Sequence, residues 1–424
     1  MVTLAAMPKY ESYKDSGVDW LGDIPEKWNI LPGMTVFSEN KRDNKGMKED
    51  QVLSLSYGNI IVKPPEKLVG LVPESFETYQ LVEPGDIIIR CTDLQNDKTS
   101  LRTGLAKDKG IITSAYINLK VKNNHNSKYW HYYLHSLDAT KVIYKFGSGL
   151  RQNLSFLDFK RLPIFDIEPK EQAAIANFLD RKTLQIDQAI AIKEKQIALL
   201  KERKQILIQN VVTQGLDPNV PMRDSGVEWI GQIPEHWGIT IAKHILRKLE
   251  RPRKQNGNTV ICSNHGCSKL LGDVSQGLVS ITQHDYQGVN EGDLLVHGMD
   301  AWHGAIAISK HTGDCTSVVH VCDSKHNKSY IAYFLKMLAI MNVYKVISDG
   351  VRQNTSDFRS WKKFGDIQLL LPLKEEQNAI VDFLDEQIRK SNKAVALAQK
   401  QIVKLKEYKS SLINSAVTGK IKVA

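Results

Sequence analysis

No stretch of this 424-residue chain approaches the ~20 consecutive apolar residues that a membrane span requires. Met1 to Tyr10 has no basic flank followed by a long apolar run, so a secretory signal is not expected and the chain reads as cytoplasmic. Cysteine is scarce. The five present (Cys91, Cys262, Cys267, Cys315 and Cys322) are odd in number and give no disulfide framework. A Walker-type phosphate loop is also missing, because Gly419-Lys420 has no glycine five residues earlier and no Ser or Thr after it. No glycine-rich turn with a downstream acid offers a seat for an adenosyl cofactor. Lys63-Pro64-Pro65-Glu66 only superficially approaches the Asn-Pro-Pro-aromatic word of amino-methyltransferases. Neither ATP hydrolysis nor methyl transfer is therefore expected of this chain. Cys262, His265, Cys267, Cys315, His320 and Cys322 include no CxxC pair. The first half of the chain has Ser54, Tyr57 and Asn59 at the places matching the first three, so no metal is expected.

What the chain does have is positive charge: 57 Lys and Arg against 47 Asp and Glu, a net +10 that favours an anionic partner, nucleic acid before membrane. It also has an internal repeat. Asp15-Ser16-Gly17-Val18-Asp19-Trp20 recurs 209 residues later as Asp224-Ser225-Gly226-Val227-Glu228-Trp229. Ile24-Pro25-Glu26-Lys27-Trp28 returns as Ile233-Pro234-Glu235-His236-Trp237, and Gly85-Asp86 as Gly292-Asp293. Gly149-Leu150-Arg151-Gln152-Asn153 answers Gly350-Val351-Arg352-Gln353-Asn354 at an offset of 201, and Glu171-Gln172 answers Glu376-Gln377 at 205. Preserved order identifies a tandem duplication. The offset drifts in the first part of each copy and then stays constant, so loops differ in the globular parts while the later stretches keep one length.

Those constant stretches carry a heptad pattern. Leu179, Ile186, Lys193, Leu200 and Leu207 occupy one seam position, and Thr183, Ile190, Ile197, Lys204 and Val211 the other. In the second copy, Leu384, Ser391, Ala398, Leu405 and Leu412 alternate with Ile388, Val395, Ile402, Lys409 and Ala416. This spacing predicts two long helices, about 171–211 and 376–416, pairing as an intramolecular antiparallel coiled coil. Pro169 and Pro372 mark their starts, Gly215 and Gly419 their stops. The preceding globular heads show short strand-like runs (52–55, 86–89, 111–112 and 116–119) and one internal helix each (129–137 and 330–339), an α+β composition. The expected domains are a head at 1–165, a helix at 166–215, a second head at 216–370 and a second helix at 371–424.

With catalytic words missing, binding residues become the candidates. Lys41, Arg42 and Lys45 in one head, and Arg247, Arg251, Arg253 and Lys254 in the other, form basic runs suited to phosphate oxygens, though a solvated loop would look alike. The repeated word Arg151, Gln152, Asn153 and Arg352, Gln353, Asn354 carries residue types able to pair with guanine and adenine. Being shared by both copies, it suits a common structural or phosphate role better. Readers of base sequence should differ between copies. The loops after the Gly-Asp words do differ: Arg90, Thr92, Asp93, Gln95, Asn96 and Lys98 in the first, His297, Asp300, Trp302 and His303 in the second.

These words, in this order and twice over, make the chain resemble the specificity (S) subunit of type I restriction-modification systems along its whole length. The resemblance implies two target recognition domains, each reading one half of a bipartite sequence in double-stranded DNA, with paired spacer helices docking two methyltransferase (M) subunits. It implies no catalytic residue here. S-adenosylmethionine, ATP and Mg would belong to the partner methyltransferase and restriction/translocase (R) subunits. Two other classes remain at this stage: a coiled-coil scaffold or adaptor whose duplicated heads bind protein, and a single-chain nuclease or methylase with unrecognised motifs.

Overall fold

The computed structural model describes residues 6–68, 75–92, 94, 101–122, 124–146, 153–254, 258–273, 286–347 and 358–423. It contains two compact units, and these cut across the repeat: residues 1–193 with 400–424 form the first, residues 194–399 the second. Each unit thus holds one head, part of the long helix that follows that head, and part of the other long helix.

The heads share one topology. In the first, a four-stranded antiparallel sheet has the order Phe37–Glu39, Tyr116–Val121, Ile87–Arg90, Thr103–Leu105. In the second, the order is Arg247–Lys248, Val319–Asp323, Leu294–His297, Ile306–Ile308. A hairpin lies in front of the central strand in each chain segment, Leu53–Ser56 with Asn59–Val62 and Val260–Ser263 with Cys267–Leu270. The central strands are apolar at their first three positions (Ile87, Ile88 and Ile89; Leu294, Leu295 and Val296) because both of their faces are covered there, so alternation is absent. One face receives the internal helix, Ser127–Ala139 or Lys328–Ile340, capped by Asn126 or Asn327 through its side-chain oxygen.

The long helices run Pro169–Gln214 and Lys374–Val417. Pro169 is the first helical residue rather than the one before, since a missing N–H costs nothing there. Gly215 and Gly419 follow at φ of 75° and 73°, the left-handed stop that glycine adopts without penalty. Their lack of a side chain is also needed. A Cβ on Gly419 would lie 2.5 Å from Pro25 and 2.9 Å from Trp28, and one on Gly215 would lie 3.2 Å from Trp237. The repeated Ile-Pro-Glu-x-Trp word therefore builds the socket for a helix end.

The heptad positions of the long helices differ in burial. Leu179, Ile186 and Ile190 are buried, as are Leu384, Ile402, Leu405 and Leu412, while Ile197, Leu200, Leu207 and Val395 are half-buried. In the first unit Lys409 donates to Asp187 (2.7 Å); in the second Lys204 donates to Asn392 (3.2 Å). The residue numbers of these two pairs have equal sums, as an antiparallel register requires. These two seam lysines so reach polar partners at the rim.

The Glu-Gln word is the bolt between head and helix. Gln172 is fully buried, accepts from Asn126 N (2.9 Å) and donates to Ile167 O (2.8 Å). Gln377 repeats this with Asn327 N (3.0 Å) and Pro372 O (2.9 Å). One carboxamide satisfies both the cap of the internal helix and the start of the long one. The Asp of the Phe-Leu-Asp word adds a second tie, Asp180 accepting from Lys128 and Tyr132, and Asp385 from Tyr333.

Candidate nucleic-acid interface

The candidate readers sit at one place in each head, the end of the central strand. Arg90 closes Ile87–Arg90, and Thr92 follows it, exposed. His297 closes Leu294–His297, and Asp300, Trp302 and His303 lie on the turn beyond. The segment after the Gly-x-Arg-Gln-Asn word is stitched to this same place by a backbone hydrogen bond. Leu154 N donates to Cys91 O in the first head, and Phe358 N to Gly298 O in the second, both at 2.9 Å. Cys91 and Gly298 each directly follow the strand. Gly298 has no room for a side chain, as its Cβ would lie 3.0 Å from Arg359 N and from Val318 O. Asp93, Gln95, Asn96, Lys98, Arg151, Gln152, Arg352, Gln353 and Asn354 lie outside the described residues; Asn153 is described and exposed.

The basic runs divide by what they face. Arg42 and Arg251 occupy equivalent positions and point at the aspartate of the Gly-Asp word. Arg251 makes a bidentate pair with Asp293, which is 4% exposed, and this contact holds its guanidinium charged more firmly than usual. Arg42 approaches Asp86 (3.7 Å) and Glu83 (3.8 Å) and donates to Asn40. Asp86 and Asp293 in turn accept from Glu83 N and Asn290 N, closing the turn before the central strand. Arg253 lies against Asp314 (3.6 Å), which is likewise buried, and over the ring of Tyr286. Arg251 and Arg253 are thus structural pairs of the second head, a role that the charge pattern alone did not reveal. Outward charge remains at Lys41, beside Glu39, at Lys45, at Lys254, and at Arg247, whose side chain is 76% exposed beside Asp323. Multiple bonds, led by that from Lys328, keep Asp323 below the usual carboxylate range.

Trp302 is half-buried against the second head's core, with Lys345 Nζ 4.5 Å from its ring centroid and the His303 ring 4.2 Å away. His303 is the exposed member of that pair. His297 Nδ1 accepts from Asp300 N at 3.0 Å, and burial lowers its pKa, so its ring is a neutral acceptor that shapes the turn.

Sequence reading missed Tyr57. It stands at the tip of the Leu53–Ser56 hairpin at φ 47°, 90% exposed, and the following Gly58 abuts Leu101 at 3.2 Å on its Cβ side. The second head places His265-Gly266 likewise against Gly304. Each head therefore brings a hairpin tip next to the segment beyond its central strand. An aromatic residue where a glycine is favoured was the available sign.

Among the described residues no group of three His, Cys, Asp or Glu side chains could hold a metal ion, and no helix is long and apolar enough to cross a membrane. Cys91, Cys262, Cys315 and Cys322 are buried, which pushes their thiols up to about 12 and leaves them unreactive.

No family model and no curated protein matches the sequence. Solved structures do match the fold. A chain from a type I restriction-modification system, determined for its complex assembly and conformational transition, shares 12% identity at a TM-score of 0.67 over 93% of this chain and 98% of that one. The HsdS subunit from Thermoanaerobacter tengcongensis shares 12% identity at a TM-score of 0.54 over 94% and 98%. The fold is that of an HsdS subunit. Near-complete coverage of both chains means that the likeness extends over heads and long helices alike.

Proposed function

We propose that this chain is the specificity subunit of a type I restriction-modification complex and reads a bipartite sequence in double-stranded DNA, one half-site per head. The observation that carries the reading is the repeated stitch at the central strand. The segment that follows the shared Gly-x-Arg-Gln-Asn word is bonded to the same strand end in both heads, and the residues around that strand end differ: Arg90 and Thr92 in one head, His297, Asp300, Trp302 and His303 in the other. A common element that touches the backbone beside a variable element that reads bases is the division of labour sequence recognition requires. Outward cations at Lys41, Lys45, Arg247 and Lys254 supply the phosphate contacts.

The chain itself carries no catalytic group in this reading. S-adenosylmethionine, ATP and Mg are held by two methyltransferase subunits and by restriction subunits. Each compact unit leaves apolar side chains exposed on its helical part, Leu184, Ile192 and Val403 in the first and Leu199, Ile206 and Leu397 in the second. Such side chains support partner docking along the helices.

The test is twofold. Purified full-length chain should bind duplex DNA with an affinity that falls steeply with salt. Expressed with its methyltransferase partner, it should methylate adenines in a two-part motif with an unread gap. Salt-insensitive binding, together with capture of protein and no DNA preference, would favour an adaptor instead; methyl transfer by the isolated chain would overturn the non-catalytic assignment.

A further inference from the structure

Arg102 is fully buried, and its charge must be matched by acceptors because a guanidinium cannot shed its proton. Two of its acceptors are carbonyls of the first head's reading segment. Nη1 donates to Thr92 O at 2.7 Å and to Arg90 O at 3.4 Å, and Nε donates to Tyr144 Oη at 3.0 Å. The guanidinium also lies over the Tyr144 ring, 5.4 Å from its centroid. The Arg102 backbone is fixed as well. Its carbonyl accepts from Arg90 N at 2.9 Å, and its N–H donates to the buried carboxylate of Asp138 on the internal helix. With Cys91 O taken by Leu154 N, all three carbonyls from Arg90 to Thr92 are tied down, two of them by one side chain.

The second head solves the same problem differently. Its equivalent of Arg102 is Ala305, whose carbonyl likewise accepts from the strand-end residue, His297 N, at 3.0 Å. Residues 298–304 close on themselves: Ala305 N donates to Asp300 O (3.2 Å), Gly304 N to Ala301 O (2.8 Å), and Asp300 N to His297 Nδ1 (3.0 Å). The corresponding stretch of the first head, 91–101, is four residues longer. A side chain reaching back from its far end fixes the near end there. The guanidinium reaches the two carbonyls through Nη1 and the Tyr144 hydroxyl through Nε, a spread that the single ammonium of a lysine does not cover.

We infer that Arg102 is a positioning residue for half-site reading by the first head, holding the Arg90–Thr92 backbone so that its side chains meet base edges at a fixed height. The inference rests on the bipartite reading above. It assigns Arg102 no DNA contact of its own.

The test uses the full chain and selection from a duplex pool, with wild type, Arg102→Met, Arg102→Lys and Tyr144→Phe. Wild type should enrich two half-sites, and His303→Ala identifies the one read by the second head. Arg102→Met should then lose about tenfold in discrimination at the other half-site, the size of one good base contact. Its preference at the second head's half-site and its slope of log affinity against log salt should stay at wild-type values. Arg102→Lys should recover part of the loss, and Tyr144→Phe, which removes one bond, should show a loss of about threefold in the same place. Unchanged discrimination in Arg102→Met, or equal loss at both half-sites with a changed salt slope, would overturn the inference. Should Arg102→Met fail to fold, Tyr144→Phe decides alone: wild-type discrimination in it sinks the proposal. A wild type that enriches no two-part motif would instead sink the bipartite reading, so the two failures are distinct.

Discussion

Two arginines four positions apart in the second head illustrate how little a basic run says about its members. Arg251 neutralises Asp293 beneath the central strand, while Arg247 extends into solvent beside Asp323. Arg251→Ala should destabilise the chain by about 2–3 kcal/mol, because the buried carboxylate loses its partner, with some relief from water since the arginine is itself 28% exposed. Arg247→Ala should leave urea unfolding unchanged and instead lower the salt slope of DNA binding by about 0.9. Measuring both quantities on both variants checks the assignment; a reversed pattern would refute it. In the sequence, Arg247 and Arg251 were indistinguishable, since what separates them is an aspartate more than forty residues away. The same holds for Gln172 and Gln377. Their repetition was plain, yet their role depends on an amide N–H and a carbonyl brought to them by other elements.

At the level of elements, periodicity and punctuation carried far. The long helices, their proline starts and glycine stops, and the internal helices were legible because each rests on spacing along one stretch of chain. Sheet order and the hairpin beside the reading segment were not, because antiparallel pairing joins strands whose separation leaves no periodic trace. The internal helix of the first head also carries a titration feature. His131 and His135, one turn apart on Ser127–Ala139, direct ring nitrogens to the interior. Burial lowers their pKa values to about 3 and about 4, with His135 further lowering His131, and Lys409 lowering His135. The unfolded histidines bind protons below about pH 6.5 while the folded ones do not, so stability is full above that pH and falls as the pH drops toward 4. The loss is at most about 1.4 kcal/mol per pH unit for each ring. The second head carries Ala332 and Lys336 at these positions. Unfolding His131→Gln/His135→Gln at pH 7.5 and pH 5 should show a smaller acid loss than wild type, by at most about 4 kcal/mol for the two rings together. Equal losses would mean that other groups dominate.

For the whole molecule, the constant offset over both long helices acquires a physical meaning. The seam is set by buried leucines and isoleucines and closed at its rim by Lys409 with Asp187 and Lys204 with Asn392, so sliding would bury lysines against apolar neighbours. Under the proposed function, helix length then sets the gap between half-sites. Four residues inserted after Lys195 add ~6 Å and about one turn of helix. That corresponds to at most about two base pairs of B-DNA at ~3.4 Å each. The methylated motif of the insertion variant should keep both half-sequences with a gap longer by one or two base pairs. An active variant with an unchanged gap would show that the helices hold partners without setting the spacing.

Two distant parts of the polypeptide close on each other in the first unit, where Lys422 N donates to Pro8 O at 2.7 Å and Lys420 Nζ reaches Leu21 O. The second unit is one uninterrupted stretch inserted between them. Tension applied between residues 8 and 422 is consequently short-circuited through the first unit. The second unit carries no load until that closure ruptures, and the chain then yields in a fixed order, host before guest.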